Sequence, residues 1–231
     1  MYKKMETSQR ENIILAGEMI AGCVAAGGAV HLGNVCHMIE NDLVERGGGP
    51  VFYKRLSYNL AVENLNVRER DRSGINSSIE GLGRYVLQAS NVLPGDVIIV
   101  SSVSGRTMKT VDLAWEAKKF GVKVIAMLSM EYARSVEPVH SSGKKLYEIA
   151  DLVLDNCAPA AEAMLEVDGL NVKFAAASGL SSVYILWSIT AVAVEILMRR
   201  GITPGIFKST NFPGGPEQNK QVKDDYSKRG Y

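Results

Sequence analysis

The chain has 231 residues, with 26 Lys and Arg against 25 Asp and Glu, 46% hydrophobic and 22% charged. This is the balance of one or at most two globular domains, long enough to bury roughly 70% of the surface that the unfolded chain exposes. A formal net charge of +1 argues against nucleic acid, whose partners carry a basic stripe.

The start, Met1 to Glu6, lacks the apolar core of a signal peptide. The most apolar long stretch, Val183 to Met198, is interrupted by Ser188, Thr190 and Glu195, so it reads as a buried core helix and no membrane span is expected. Cys23, Cys36 and Cys157 are an odd set without C-x-x-C spacing and read as reduced thiols of a cytoplasmic protein. In chain order, Ile13, Ile14, Gly17, Ile20, Ala21 and Val24 recur at helical spacing, which predicts a helix over 8–26 ended by Gly27-Gly28. Ala29–Leu32 reads as the first strand, stopped by Gly33. A second helix is expected from Asn34 or Val35 to Arg46, and a second strand over Pro50–Tyr53. Residues 54–77 mix charges with scattered apolar side chains and read as a mobile or partner-contacting segment. Ile79–Gln88 reads as a helix.

The centre of the chain is the clearest part. Val97-Ile98-Ile99-Val100 is a continuous β-branched run, the signature of a strand buried on both faces. A polar turn over 101–106, a helix over 107–120 and a strand over 122–128 follow, which makes one βαβ unit. A loop with Pro138 and Gly143, a short helix over 144–149 and a strand over 152–155 come next, then a long apolar helix over about 179–200. The tail from Thr203 carries prolines and glycines and is expected to be extended and to wrap a partner subunit. Alternating strands and helices predict a three-layer α/β fold, a parallel sheet in one domain over 1–231.

The chemistry concentrates in Ser101-Ser102-Val103-Ser104-Gly105-Arg106-Thr107, between a buried strand and a helix. Open parallel sheets bind ligands at the carboxyl ends of their strands. A helix N-terminus there offers free N–H groups and a positive dipole end, suited to phosphate. Ser102, Ser104 and Thr107 add hydroxyls, and Gly105 permits an unusual backbone conformation. Hydrogen bonds to a charged group contribute about 1.5–3 kcal/mol each, so a few hold a phosphate without a basic patch. No metal-ligand spacing is present, and neither G-x-G-x-x-G nor G-x-x-x-x-G-K-[ST] occurs, so no metal, dinucleotide or ATP is expected as a cofactor.

The runs PGDVIIVSSVSGRT and AKKFGVKVIAMLS resemble the sugar isomerase (SIS) domain family of phosphosugar-binding proteins, with the pattern S-x-S-G-x-T on Ser102, Ser104, Gly105 and Thr107. YARSVEPVHSSGKKLYEIADLVLDNC and the tail GGPEQNK are similar to small single-domain members of that family. The resemblance implies a flavodoxin-like parallel sheet of about five strands, a homodimer or homotetramer, and a phosphorylated sugar as ligand. The family's first loop, G-x-G-x-S or G-N-G-x-S, is met here by Gly33 and Asn34; Val35 and His37 stand where the second glycine and the serine would be, and Cys36 or His37 is the candidate substitute for the serine's contact. The phosphoheptose isomerase branch implies an acid on the following helix as the base of an aldose–ketose interconversion through an enediol. Asp42 matches that position, one methylene shorter than the usual glutamate. The branch's C-terminal-helix histidine is missing, since only His31, His37 and His140 exist. His31 reads as a core histidine, and His140, in the loop before Gly143, is the candidate acid or base. The alternative is a regulatory module that senses a phosphosugar without turning it over.

Overall fold

The computed structural model describes residues 1–33, 42–61, 63, 68–71, 73 and 79–231. Most of the predicted second helix, with Asn34, Cys36 and His37, therefore lies outside the described residues; Asp42 and Leu43 are helical.

Five strands, β1 (Val30–Gly33), β2 (Tyr53–Leu56), β3 (Val97–Ser101), β4 (Lys123–Leu128) and β5 (Leu152–Asp155), form one sheet in the order β2-β1-β3-β4-β5. Every neighbouring pair is parallel. This is the flavodoxin-like strand order, and the sequence order reverses between β1 and β3. Alternation along the strands feeds two cores. Val97 and Ile99 of β3 join Val30, Leu32, Ile125 and Leu154 beneath α2 (Arg10–Ala25) and α6 (Ser178–Arg199). Ile98 and Val100 join Val124, Ala126 and Leu128 beneath α3 (Leu82–Ala89) and α4 (Met108–Lys119). The helices α1 (Tyr2–Ser8) and α5 (Met130–Arg134) and a hairpin of β6 (Ala163–Leu165) and β7 (Phe174–Ala176) complete this part of the chain. Gly17 lets α2 and α6 approach closely, because a Cβ there would come within 2.4 Å of Val192 Cγ1.

Two sequence expectations shift. The second strand begins at Tyr53 rather than Pro50. Pro50 instead bridges Ile206, and Val51 packs with Phe207 and Val222 in a satellite cluster, so the apolar run serves the tail before the sheet. The tail is not extended throughout: α7 spans Gly215–Arg229. Its prolines and its other glycines precede the helix or sit in its first turn, where the missing N–H of Pro216 loses no intrahelical bond, and Gly230 caps the C-terminal end. The polar remainder exposes most of its surface and buries Val222. The tail lies against its own chain: Val51 donates to the Gly205 carbonyl at 2.8 Å and Phe207 to that of Gly49 at 2.9 Å.

Candidate phosphate loop at the carboxyl edge of the sheet

Residues 102–107 leave the carboxyl end of β3, at the switch point beside β1, and run into the N-terminus of α4. The loop is pinned at three places. The Ser129 N–H donates to the Val103 carbonyl at 3.0 Å, and the Leu146 N–H to the Gly105 carbonyl at 2.8 Å. Within the loop, the Gly105 N–H faces both the Ser102 carbonyl at 3.1 Å and the Ser102 Oγ at 3.2 Å. Ser102 is buried, and its hydroxyl lies 3.4 Å from that of Thr107. Gly105 holds φ +62°, and a Cβ there would meet Leu128 Cδ1 at 3.1 Å, so both conformation and space select glycine.

Thr107 is the N-cap of α4, yet its side chain does not cap the helix. The Thr107 hydroxyl is thus placed at a helix end whose first N–H groups point out of the sheet edge. Ser104 is half-buried at the turn of the loop. Thr110, in the first turn of α4, is fully buried, and its Oγ1 is the one buried side-chain oxygen or nitrogen without a hydrogen-bond partner among the described residues. Gly33 ends β1 and is buried; through the pairing of Leu32 with Ile99 it stands at the same edge as the loop. Ser102, Ser104, Gly105 and Thr107 thus lie in one loop, and Gly33 ends the neighbouring strand at the same edge of the sheet. Asn34 lies outside the described residues.

The sequence did not reveal a cation beside this helix end. Lys109, in the first turn of α4, donates to the Tyr58 carbonyl at 3.0 Å and lies over the Tyr58 ring at 4.1 Å. Tyr58 follows β2, so this contact reaches from the edge strand to α4. Burial, and then the Asp112 carboxylate, push the Tyr58 hydroxyl well above its ordinary range. A lysine in a helical TMK run carries no local signal for this contact, which depends on sheet order.

Asp42 and His140 have other partners. The Asp42 carboxylate takes the Arg46 guanidinium at 2.8 Å in an i,i+4 pair at the protein surface. His140 is buried; its Nδ1 lies 2.8 Å from Ser142 Oγ and 3.2 Å from the Ser142 N–H, and its Nε2 is 3.8 Å from Asp112 Oδ1. Asp112, on α4, accepts the N–H groups of Gly81 at 2.6 Å and Gly83 at 2.7 Å, so this cluster fastens the start of α3. His31 is a core histidine, 2.9 Å from Asp96 Oδ2, and Asp96 also accepts from the Ala29 and Leu93 N–H groups. No group of three His, Cys, Asp or Glu that could hold a metal exists among the described residues.

This fold and this loop define a class, and a family model described as SIS domain matches residues 1–129. The chain belongs to the SIS-domain family of phosphosugar-binding proteins. Its full-length relatives narrow that placement. The UPF0309 protein BH3325 of Halalkalibacterium halodurans is 32% identical over 99% of this chain and 94% of its own length. The UPF0309 protein lmo0025 of Listeria monocytogenes is 30% identical over the same shares. Among solved structures, a phosphoheptose isomerase from Francisella tularensis is similar at a TM-score of 0.49 and 15% identity, over 84% of this chain and 90% of that one.

Proposed function

We propose that the chain binds a phosphorylated sugar, with its phosphate on Ser102, Ser104, Gly105 and Thr107 and its sugar toward Gly33 and Asn34. The observation that carries this reading is the loop itself: a pinned glycine-containing turn that presents hydroxyls at an uncapped helix end, at the switch point of a parallel sheet in an SIS-domain chain. Charge is supplied locally by N–H groups and by Arg106 within the loop, so a chain of net charge +1 suffices. We place this activity in the cytoplasm, in a homodimer or homotetramer whose protomer, residues 1–231, is one SIS unit.

Between sensing and turnover, the contacts favour sensing. Aldose–ketose isomerisation would need Asp42 as base and His140 as its partner, and these side chains are engaged by Arg46 and by Ser142 and Asp112. A thermal-shift screen across a sugar-phosphate panel tests the binding. A ligand at 100 times its Kd adds about 2.7 kcal/mol, which raises Tm by several degrees for a chain of this size. No shift with any sugar phosphate would remove the reading. Deuterium incorporation next to the carbonyl in heavy water, abolished by Asp42→Asn, would replace sensing by isomerisation.

A further inference from the structure

The helix α6 has two apolar faces. One packs on the sheet through Ile185, Leu186, Ile189 and Ala193. The other consists of Leu180, Tyr184, Trp187, Ala191, Val194 and Met198, spaced four, three, four, three and four residues apart. This is the a/d spacing of a coiled-coil seam, which calls for a second helix. It is also exposed: Leu180 by 57%, Met198 by 51% and Tyr184 by 37%. Ala191 is exposed, and Trp187 and Val194 are half-buried. The helix is long and apolar enough to cross a membrane, and half of its most apolar window is buried in this chain. Beside the seam, a groove of about 870 Å³ runs between α2 and α6.

We propose that this seam is the contact surface for a second copy of the chain, α6 against α6, antiparallel about a two-fold axis near position 189. The inference gives a surface to the oligomer proposed above and is independent of the sugar-phosphate reading. An isologous contact requires that residue i meet j while j meets i. The seam meets that condition along its whole length. Antiparallel pairing about 189 sets Trp187 against Ala191, Tyr184 against Val194 and Leu180 against Met198. In two of these pairs a large aromatic side chain faces a small one, the interdigitation that dense packing needs.

Charged and aromatic side chains flank the seam at both ends. Arg199 and Arg200 are at the C-terminal end of α6, and Arg199 and Glu195 form an exposed pair. Toward the other end, Glu6 of α1 accepts from the Tyr184 hydroxyl at 3.5 Å, and the Tyr2 ring packs edge-on against Tyr184 at 5.4 Å. Tyr2, Ile14 and the seam leave on the order of 500 Å² of apolar surface, at ~200 Å² for a large side chain about half exposed. That reaches the largest patch of a typical monomer and is over half of the ~800 Å² each partner buries in a standard interface.

Sedimentation velocity of the full chain at micromolar concentration tests this, together with oxidative cross-linking. The expected wild-type species has twice the protomer mass or a multiple of it. Ala191→Arg should give the protomer mass with an unchanged far-UV circular dichroism spectrum, its Tm lower only by the association that the wild type gains. The double variant Leu180→Cys/Met198→Cys should form a covalent dimer. Leu180→Cys alone should not, because antiparallel pairing separates its two copies by about 27 Å of helix.

A monomeric wild type, a dimer indifferent to Ala191→Arg, or a cross-linked Leu180→Cys single variant would each overturn the proposal. A monomer that floats with phosphatidylcholine–phosphatidylglycerol vesicles would assign the seam to a bilayer and overturn it equally. A dimer without sugar-phosphate affinity would leave the seam in place and refute only the ligand.

Discussion

Gly105→Ala separates what the phosphate loop asks of its glycine from what any left-handed turn asks. Gly105 and Gly143 hold nearly the same conformation, φ +62° and φ +67°. A Cβ at Gly143 meets nothing within 4 Å, whereas at Gly105 it meets Leu128 Cδ1 at 3.1 Å and Ala133 Cβ at 3.5 Å. Leu128 and Ala133 are fully buried. The conformational cost of an L side chain in this region is roughly 1–2 kcal/mol and applies to both sites. The added crowding in a packed core costs about 1 kcal/mol more at Gly105. The loop cannot relax cheaply, because Leu146 holds the Gly105 carbonyl and Ser102 holds its N–H. Urea denaturation of both variants should therefore place Gly105→Ala at about 2–3 kcal/mol of destabilisation and Gly143→Ala at about 1–2 kcal/mol, with Tm falling some 2–4 °C per kcal/mol. Equal losses at the two positions would refute the packing argument for the loop.

Asp151 links stability to acid. Burial alone would raise its pKa, but Lys118, the Val124 N–H at 2.8 Å and Lys123 hold it below the ordinary 3.8. A group depressed in the folded state contributes stability that is full above its unfolded value and is lost as pH falls through the folded one. Stability should thus fall with acid below about pH 4, and Asp151→Asn should flatten that slope in pH-dependent denaturation; an unchanged slope would refute the assignment. Burial pushes the Cys23 thiol up to about 11, aided by Asp96, and raises Cys157 too, with the Asp155 carboxylate contributing. Iodoacetamide at pH 8 should label neither in the folded chain and both in urea, as read by peptide mass mapping; rapid native labelling of either would contradict this. Thr110→Val removes a buried hydroxyl without a partner among the described residues and should be neutral or stabilise by up to about 1 kcal/mol. A loss of stability in denaturation would show that the hydroxyl is satisfied.

The βαβ centre was legible because its signals are local. VIIV is apolar on both faces, and the Ser-Gly loop falls between two runs of different period. The carboxyl-edge placement of Gly33 and the loop followed from parallel-sheet topology alone. The start of β2 was not legible, because Val51 is buried by Phe207 and Val222, more than 150 residues away in the chain. The helix α7 was missed for a different reason: twelve of its fifteen residues, PEQNKQVKDDYS and their neighbours, carry almost no apolar stripe, and the prolines and glycines before it dominate the composition. The partner of His140 was hidden likewise, since nothing in DLAW marks Asp112 as the buried acceptor of two glycine N–H groups. The second face of α6 was visible in the sequence as apolar content, but only the structure separates its sheet-facing residues from the seam.

Isothermal titration of the sugar phosphate that gives the largest thermal shift, against the wild type and against Ser104→Ala/Thr107→Val, bears on the phosphate loop without intermediaries. Two hydrogen bonds to a charged group at about 1.5–3 kcal/mol each predict at least a ~100-fold loss of affinity in the double variant. The unphosphorylated sugar should bind the two proteins alike. Affinity for the sugar phosphate that is unchanged in the double variant would place the ligand elsewhere on the chain.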